Sequence, residues 1–285
     1  MIRECLPEER EAVVKMIGEG ILWRLEEIAA MLHNATAYVY EENGQVQACA
    51  MYDLTSFGED ETAEIHLYTQ PDSRNRGIGS ALFDTIWTKL QDKGLTTVVT
   101  TYRVDQQSFR DFFGKRGFQP IWGHHLMKYA GGAEPEPALT VRKFEEQDLA
   151  MYIQSQSDAY YEVRKGIDLQ PYKLTDYAEK TMESWKNWIL HDMREDIYLF
   201  YDGEAFVGSL ILTSHGEVYD VFVDPLHQGK GFGKQLVHFF VNRTLEKGRQ
   251  PHLITGTHND PAIHLYEKTG FRICQTTMTG KRELT

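Results

Sequence analysis

The sequence predicts an α/β protein made of two tandem copies of one fold, each with a mixed central sheet flanked by helices. Three observations lead to this prediction. A glycine-containing loop occurs twice at one constant offset, at 70–82 and again at 224–236. A segment of glycine, proline and glutamate, 130–138, separates the two copies. The chain has 285 residues, a length that suits two domains of ordinary size.

Each copy shows the same order of elements. After the opening helices comes a hairpin, YVYEENGQVQACAMY (38–52) or YLFYDGEAFVGSLIL (198–212), whose Asn-Gly and Asp-Gly pairs are strong turn signals. A strand-like run, AEIHLYT or EVYDVFV, then leads into the glycine loop. A long helix, a further strand and a short helix complete the copy. This order is typical of a mixed α/β layer.

The repeat continues beyond the loop. Both long helices end in Lys-Gly, at Lys93-Gly94 and Lys247-Gly248, and glycine is a common residue directly after a helix. FFGKRGF (112–118) then corresponds to LYEKTGF (265–271). Two pairs of matching segments that keep nearly the same offset over this distance indicate tandem copies. The predicted boundaries are an N-terminal domain over 1–130, a linker over 131–138 and a C-terminal domain over 139–285.

Composition and charge restrict the class of protein. The net charge of −12 argues against broad binding of nucleic acid and favours cationic or amine partners. The three cysteines are scattered and form no C-x-x-C pair, as expected in a reducing cytoplasm. No apolar run approaches the roughly 20 residues that span a bilayer, and His124-His125 lacks spaced partners for zinc. We therefore expect a soluble cytoplasmic protein without membrane, nucleic-acid or metal partners, working as a monomer whose two domains form a pseudo-dimer.

The loop LHQGKGFGKQL (226–236) has the character of an anion site, because glycine permits close approach to a helix N-terminus. A P-loop is excluded since its first glycine would fall at Gln228 and its hydroxyl at Gln235. The spacing of the glycines also fails the dinucleotide fingerprint. The remaining pattern is [Q/R]-x-x-G-x-G, present at 228–233 and at 74–79.

With this block, followed by Asn259 and AIHLYEKTGF (262–271), the sequence resembles the GNAT acetyltransferase superfamily over nearly its whole length. The resemblance implies that the loop cradles the pyrophosphate of acetyl-coenzyme A, used as co-substrate, and that the preceding strand splays from its neighbour to pair with the pantetheine arm. Asn259 is either a coenzyme contact or an N-cap. The implied coenzyme-binding residues are Val221, Phe222, Val223, Gln228, Gly229, Lys230, Gly231, Phe232, Gly233, Lys234 and Asn259.

Acyl transfer to an amine needs a base for the ammonium and benefits from an acid for the departing thiolate. The family's tyrosine acid corresponds to Tyr266, for which a core role is the alternative. Ile254 stands where some members carry a glutamate base. Asp220 is the preferred base, with Glu217 and His258 as alternatives. The aromatic and acidic stretch 157–188 is either a wall of the acceptor site or an amphipathic helix pair.

The first copy differs from this pattern at the residues to which the chemistry is assigned. Phe113 replaces Tyr266 and Gln106 replaces Asn259, although His66 lies opposite Asp220. This copy is predicted to be degenerate, whether it binds coenzyme A weakly, binds nothing or serves as a scaffold. The predicted function is an acetyl-CoA-dependent N-acetyltransferase acting on a primary amine, preferably of a small molecule. The alternative is a non-catalytic coenzyme-A-binding sensor or scaffold.

Overall fold

The computed structural model of the protein describes residues 1–19, 21, 25–54, 62–213, 216 and 218–284. The chain forms two compact units. Unit 1 comprises Met1–Gly123 together with Gln275–Thr285, and unit 2 comprises His124–Cys274. Each unit therefore carries one of the two glycine loops.

The described residues form eight α-helices, four in each unit. They are α1 (Arg10–Gly18), α2 (Leu25–Asn34), α3 (Ile78–Gln91), α4 (Gln107–Gly114), α5 (Leu149–Gly166), α6 (Glu179–Asn187), α7 (Phe232–Glu246) and α8 (Asp260–Lys268). Short 3₁₀ turns precede α1, α3, α5 and α7, at corresponding places in the two units: Pro7–Glu9, Pro71–Ser73, Glu146–Asp148 and Pro225–His227. Two more 3₁₀ turns are Leu174–Asp176 and Arg194–Asp196, and the π-helical turn Trp188–Met193 continues α6.

Twelve strands occur in the described residues. They are β1 (Ile2–Glu4), β2 (Thr36–Glu42), β3 (Gln45–Asp53), β4 (Thr62–Thr69), β5 (Thr97–Arg103), β6 (Gln119–Tyr129), β7 (Thr140–Lys143), β8 (Ile197–Asp202), β9 (Ala205–Leu212), β10 (Val218–Val223), β11 (His252–Gly256) and β12 (Phe271–Glu283). Unit 1 has the strand order β1-β2-β3-β4-β5-β12, in which only β4 and β5 run parallel. Unit 2 has an antiparallel sheet β7-β8-β9-β10 and an antiparallel pair of β6 with β11. Each unit is thus the predicted α/β layer.

The predicted turns and helix ends are confirmed. Asn43 and Gly44 both have positive φ, 53° and 73°, as the tight turn between β2 and β3 requires. Gly203 has φ 61° in the matching turn between β8 and β9. Gly94 and Gly248, with φ 70° and 68°, follow the ends of α3 and α7 in the left-handed conformation.

Apolar cores cover both faces of each main sheet. In unit 1, Ala48 and Ala50 of β3 belong to the core beneath α3, while Cys49 and Met51 belong to the core beneath α1 and α2. Successive strand residues point to opposite faces, so β3 is buried on both sides. In unit 2, Leu210 faces the core under α7, and its neighbour Ile211 faces the core under α5.

The compact units divide the chain at positions that differ from the predicted boundaries. Thr277–Glu283 of β12 pairs with β5, which gives the C-terminal strand to unit 1. Residues 124–128 of β6 pair with β11, which gives the end of the first copy to unit 2. Hydrogen bonding of these two last strands therefore decides unit membership, and a sequence pattern does not specify which sheet accepts a terminal strand.

The segment 131–138, predicted to be a linker of flexible and stiff parts, is hydrogen-bonded to α7 of unit 2. The side chain of Asn242 accepts from the Glu134 amide at 2.8 Å and donates to the Glu134 carbonyl at 2.9 Å. Gln235 accepts from the amide of Ala138 at 2.8 Å. Polar side chains of α7 thus fix a segment that has little apolar surface to pack.

Candidate active site

The glycine loop of unit 2 joins β10 to α7. Gly229 and Gly231 have φ of 74° and 85°, and a Cβ at either would meet nothing within 4 Å. Glycine at these two positions is therefore required by the backbone conformation, and the missing side chains leave open space before the helix. A Cβ on Gly233 would lie 3.1 Å from Leu265, so this third glycine is required by close packing. The first turn of α7, which starts at Phe232, directs its amides into this open space.

Side chains around the loop have separate tasks. Gln228 donates from its amide to the carbonyl of Val223 at 3.0 Å, which ties the loop to the end of β10. Lys230 and Lys234 are exposed on the loop and the first turn, where their charge adds to the positive end of the helix.

The strand before the loop has one unpaired edge in the described ladders. Val221, Phe222 and Val223 pair with β9 on one side, whereas β11 pairs with β6 and not with β10. The separation of these two strands agrees with the predicted splay. The Phe222 side chain is buried against Tyr152, with ring centroids 5.6 Å apart, so Phe222 offers only its backbone at this edge.

Asp220 lies just before this edge and is surrounded by side chains of α5. The hydroxyl of Tyr160 donates to its Oδ1, and the side-chain amide of Gln156 donates to its Oδ2. The hydroxyl of Tyr152, on the same helix, is buried and has no hydrogen-bond partner among the described residues. Asp224, four residues further on, accepts from Ser155 of the same helix. The structure therefore places a carboxylate in a polar cluster supplied by one helix face.

Burial changes the ionisation of this cluster. It raises the pKa of the Asp220 carboxyl, and the hydrogen bonds from Tyr160 and Gln156 oppose that rise because they stabilise the charged form. Burial and the Asp220 charge raise the pKa of the Tyr160 hydroxyl well above its ordinary value. A carboxylate with a raised pKa among neutral phenols is a typical feature of sites that move protons.

Tyr266, the predicted acid, lies on α8 and is only 6% exposed. Burial raises the pKa of its hydroxyl, and the charge of Asp220 raises it further. The ionised form of Tyr266 in turn raises the pKa of Tyr160. The structure thus brings Tyr266, Tyr160 and Asp220 within electrostatic reach of one another, although α5, β10 and α8 are far apart in the sequence. The ring of Tyr266 also belongs to the core under α7, so the alternative core role coexists with a chemical one.

The remaining sequence candidates lie at the margin of this cluster or outside it. The side chain of Asn259 accepts from the amide of Ala262 at 3.4 Å as the N-cap of α8, and its contact with the coenzyme stays a prediction. His258 is exposed beside Thr257. Glu217 lies outside the described residues. Among the candidate bases whose side chains are described, Asp220 is half-buried and held in a polar network, whereas His258 is exposed.

Sequence reasoning missed Tyr152 and Gln156. Tyr152, Gln156 and Tyr160 are spaced by four residues, so they share one face of α5. This spacing is visible in the sequence and could have indicated a polar helix face turned toward the sheet. Only Tyr160 fell within the stretch 157–188 expected to wall the acceptor site.

The loop of unit 1 has nearly the same conformation as that of unit 2. Asn75 and Gly77 have φ of 61° and 79°, and Arg74 donates from Nε to the carbonyl of Thr69 at 3.0 Å, as Gln228 does to Val223. The strands β4 and β5 pair only at Thr62–Glu64, so they separate before the loop. The loop of unit 1 also borders a cavity of about 220 Å³ whose lining includes Leu67, Gly79 and Phe112.

Beneath its loop, unit 1 has different chemistry. The Arg3–Glu9 ion pair before α1 corresponds to Arg142–Asp148 before α5, which aligns the two helices. By this alignment Val13 and Ile17 of α1 correspond to Tyr152 and Gln156, and Ile21, which follows the end of α1, corresponds in sequence to Tyr160. These three apolar side chains are buried. His66 takes the place of Asp220, with its Nε2 3.3 Å from Glu64. Phe113 takes the place of Tyr266. The same backbone frame therefore holds an apolar helix face in unit 1 and a polar one in unit 2.

Two further features are absent from the described ranges. No helix there has the length and apolar character that crossing a bilayer requires. No three His, Cys, Asp or Glu side chains there come together as metal ligands would.

The sequence profile described as the Acetyltransferase (GNAT) family matches the chain twice, over residues 4–118 and 159–271. The protein belongs to this family. It is a tandem GNAT acetyltransferase in which each unit carries one match. Acetyl-CoA is the co-substrate of the GNAT family.

Curated relatives of this GNAT protein are named mycothiol acetyltransferase. The one from Thermobifida fusca is 24% identical over 271 residues, covering 84% of this chain and 80% of the relative. The one from Mycobacteroides abscessus is 25% identical over 293 residues, covering 96% and 93%. Both similarities extend through the two units, so they concern the whole tandem arrangement.

Solved structures share the tandem GNAT fold. A GCN5-related N-acetyltransferase from Sphaerobacter thermophilus superimposes with a TM-score of 0.75 at 18% identity, covering 99% of this chain and 95% of that one. A tandem GNAT protein from the clavulanic acid biosynthesis pathway gives a TM-score of 0.66 at 14% identity, covering 99% and 98%. At such low identity these likenesses establish the fold alone.

Proposed function

We propose that unit 2 transfers an acetyl group from acetyl-CoA to a primary amine by direct attack of the amine on the thioester. One observation carries the proposal. Asp220 directly precedes the open-edged segment Val221–Val223, and Tyr266 belongs to the apolar cluster against which Val221 and Val223 pack, so a carboxylate and a phenol flank the strand that leads into the loop. Unit 1, with the same loop conformation, has neither residue.

The loop and the strand edge fit the two halves of the co-substrate. The pyrophosphate is held by the first amides of α7 and by Lys230 and Lys234, because a helix N-terminus carries about half a positive charge. Gly229 and Gly231 leave the approach free. The pantetheine arm pairs with the backbone of Val221, Phe222 and Val223, the segment whose outer edge has no strand partner in the described ladders.

Asp220 acts as the base in this proposal. An alkylammonium has a pKa of about 10 and must lose a proton before it attacks. The raised pKa of Asp220 makes its carboxylate a better proton acceptor than an exposed aspartate, and its hydrogen bonds to Tyr160 and Gln156 keep its oxygens oriented. The negative charge also attracts the ammonium before the proton moves.

Tyr266 acts as the acid. As the amine lone pair forms the C–N bond and the C–S bond breaks, the departing thiolate takes the proton of the Tyr266 hydroxyl. Burial and the Asp220 charge keep this phenol protonated at neutral pH, so the acid is loaded when the thioester arrives. Backbone amides at the β10 edge are the proposed donors to the oxyanion.

The acceptor is proposed to be a small molecule that carries a primary amine. The names of the curated relatives make the amine precursor of mycothiol the first candidate. The rings of Trp188 and Tyr219 lie 5.2 Å apart, and Tyr219 directly precedes Asp220 in the chain, so this aromatic pair is the proposed contact for a cationic acceptor.

An amine panel tests the proposal. The purified protein is incubated with acetyl-CoA and one acceptor at a time: desacetyl-mycothiol, glucosamine, lysine or a peptide with a free N-terminal amine. Acetylated product is detected by mass spectrometry, because an acceptor that carries its own thiol would give a signal in an assay for released thiol. We expect product from a small amine and a much slower formation of product in the Tyr266→Phe variant. Coenzyme binding without product from any amine would favour the non-catalytic sensor.

We propose a second, separate role for unit 1: it binds coenzyme A without catalysis. The cavity of about 220 Å³ at its loop supports binding, and Phe113 in place of the acid supports the lack of turnover. Calorimetric titration with coenzyme A checks this role. Two molecules bound per chain, falling to one in Gly77→Val, are expected. One molecule in both proteins would exclude a site in unit 1.

A further inference from the structure

Asp224 follows β10 directly and precedes the 3₁₀ turn Pro225–His227, which leads into the glycine loop of unit 2. Its Oδ1 accepts from the amide of Leu226 at 3.0 Å, so the carboxylate caps this turn. Its Oδ2 accepts from the hydroxyl of Ser155 on α5. One half-buried carboxylate is thus bonded both to the start of the glycine loop and to α5.

Ser155 and Gln156 are consecutive residues of α5, and each donates to a carboxylate at the end of β10. Ser155 donates to Asp224, and Gln156 donates to Asp220. Both donors are buried, with 5% and 8% of their surface exposed. Consecutive residues of a helix are held together by its backbone hydrogen bonds and move together. A short stretch of α5 therefore connects the start of the loop to the proposed base.

Unit 1 has different residues at both ends of this connection. Gln70 stands at the position of Asp224, and its side chain donates to the carbonyl of Val46 on β3 at 3.1 Å. Met16, by the alignment of α1 with α5, corresponds to Ser155 and packs against the apolar core under α1 and α2. The unit that differs from unit 2 at the proposed acid and base thus has a neutral amide and an apolar side chain in place of the bonded pair.

We propose that Asp224 is a positioning residue that couples occupancy of the glycine loop to the order of α5. Phosphate oxygens bound at the loop amides fix the loop, and the loop fixes Asp224 through the Leu226 amide. Asp224 then holds Ser155, and with it the helix face around Asp220. The inference rests on the proposed binding of coenzyme at unit 2. Coupling of this kind is reciprocal, so order in α5 strengthens coenzyme binding by the same factor.

A hydrogen bond that couples the loop to α5 differs measurably from one that only stabilises α5. Loss of a merely stabilising bond speeds hydrogen exchange of the α5 amides equally with and without coenzyme. Loss of the coupling bond removes the part of the protection that coenzyme supplies. The diagnostic quantity is therefore the change in α5 exchange on binding, since a purely structural role leaves this change as it is.

Hydrogen exchange of the α5 amides, measured on the full chain with and without saturating coenzyme A, tests the proposal. Each protein carries Gly77→Val, so that calorimetry of the same samples reports binding at unit 2. With Ser155 in place, we expect coenzyme A to slow α5 exchange by at least about fivefold relative to β8 of the same unit, because hydrogen bonds to a carboxylate are among the stronger ones. In Ser155→Ala the slowing should fall below about twofold.

The matched control is Ser157→Ala, the same substitution on the same helix. Ser157 is buried like Ser155, but its hydroxyl contacts Thr175 at 3.4 Å. This variant should keep the full slowing by coenzyme A. Loss of the slowing in Ser157→Ala as well would overturn the proposal, because it would show that any weakening of α5 has this effect.

The other outcomes are equally decisive. Binding of coenzyme A without slower exchange in α5 overturns the coupling and leaves the proposed coenzyme site of unit 2 intact. Slowing that persists in Ser155→Ala overturns the coupling as well. If Ser155→Ala does not fold, Asp224→Ala removes the acceptor of the same bond and has to lose the slowing instead. Absence of coenzyme A binding in calorimetry refutes the proposed coenzyme site together with this inference, so the two failures are distinguishable.

Discussion

Unit 1 and unit 2 share a loop and differ beneath it. Both loops place two left-handed residues before the helix and tie a side chain back to the end of the preceding strand. Below the loop, unit 1 has the apolar residues Val13 and Ile17 of α1 and the following Ile21, whereas one face of α5 in unit 2 carries Tyr152, Gln156 and Tyr160. The comparison teaches that the conformation of the glycine loop and the polar helix face beneath it are separable parts of this fold. One copy has the first without the second.

The largest effect is expected from Tyr266→Phe, which makes unit 2 resemble unit 1 at the acid. Turnover should fall by about 10²–10⁴-fold, the usual contribution of a positioned acid or base. The ring and its packing remain, so coenzyme binding measured by calorimetry should not change. Activity close to that of the unsubstituted enzyme would mean that the acid has been assigned to the wrong residue or the wrong unit.

A somewhat smaller loss, about 10²-fold, is expected for Asp220→Asn, because the amide keeps the shape of the side chain but cannot accept the proton. Steady-state rates measured at saturating acetyl-CoA check this. Glu217→Gln is the matched comparison, since Glu217 is the alternative carboxylate on the same segment. A larger loss in Glu217→Gln than in Asp220→Asn would transfer the role of base to Glu217.

A third prediction separates the two loops. Gly231→Val should weaken coenzyme binding at unit 2 by about 10–100-fold, because a branched residue resists φ of 85° and obstructs the loop amides. Gly77→Val, the same change in unit 1, should leave turnover nearly intact. Abolished turnover in a folded Gly77→Val protein would show that unit 1 holds the site on which the reaction depends.

The smallest effect concerns pH. Gln156→Leu removes a donor that stabilises the charged carboxylate, so the pKa of Asp220 should rise further. The base works only when ionised, and the activity should therefore be lost at a higher pH on the acid side of the kcat/KM profile. Gln154→Leu, the same substitution on the exposed side of α5, is the control and should leave the profile in place. Coincident profiles for the two variants would show that ionisation of Asp220 does not set the acid side of the pH profile.

The sequence by itself determined the local structure of both loops and the tandem repeat. Glycine at 229 and 231 follows from the local left-handed backbone, whereas glycine at 233 depends on close packing against Leu265. The hairpin turns and the helix ends at Gly94 and Gly248 follow from the same local preferences. The family match over both copies confirms the predicted tandem GNAT fold.

Only the tertiary structure decided what surrounds Asp220 and which sheet receives each terminal strand. Tyr160 and Asp220 are 60 residues apart, and their hydrogen bond exists because α5 packs over the end of β10. Strand pairing is likewise long-range, so composition distinguishes the segment 131–138 but does not predict its hydrogen bonds to α7 or the placement of β6 and β12. Local preferences act over a few residues, whereas burial, ionisation and sheet order depend on contacts between segments distant in the chain.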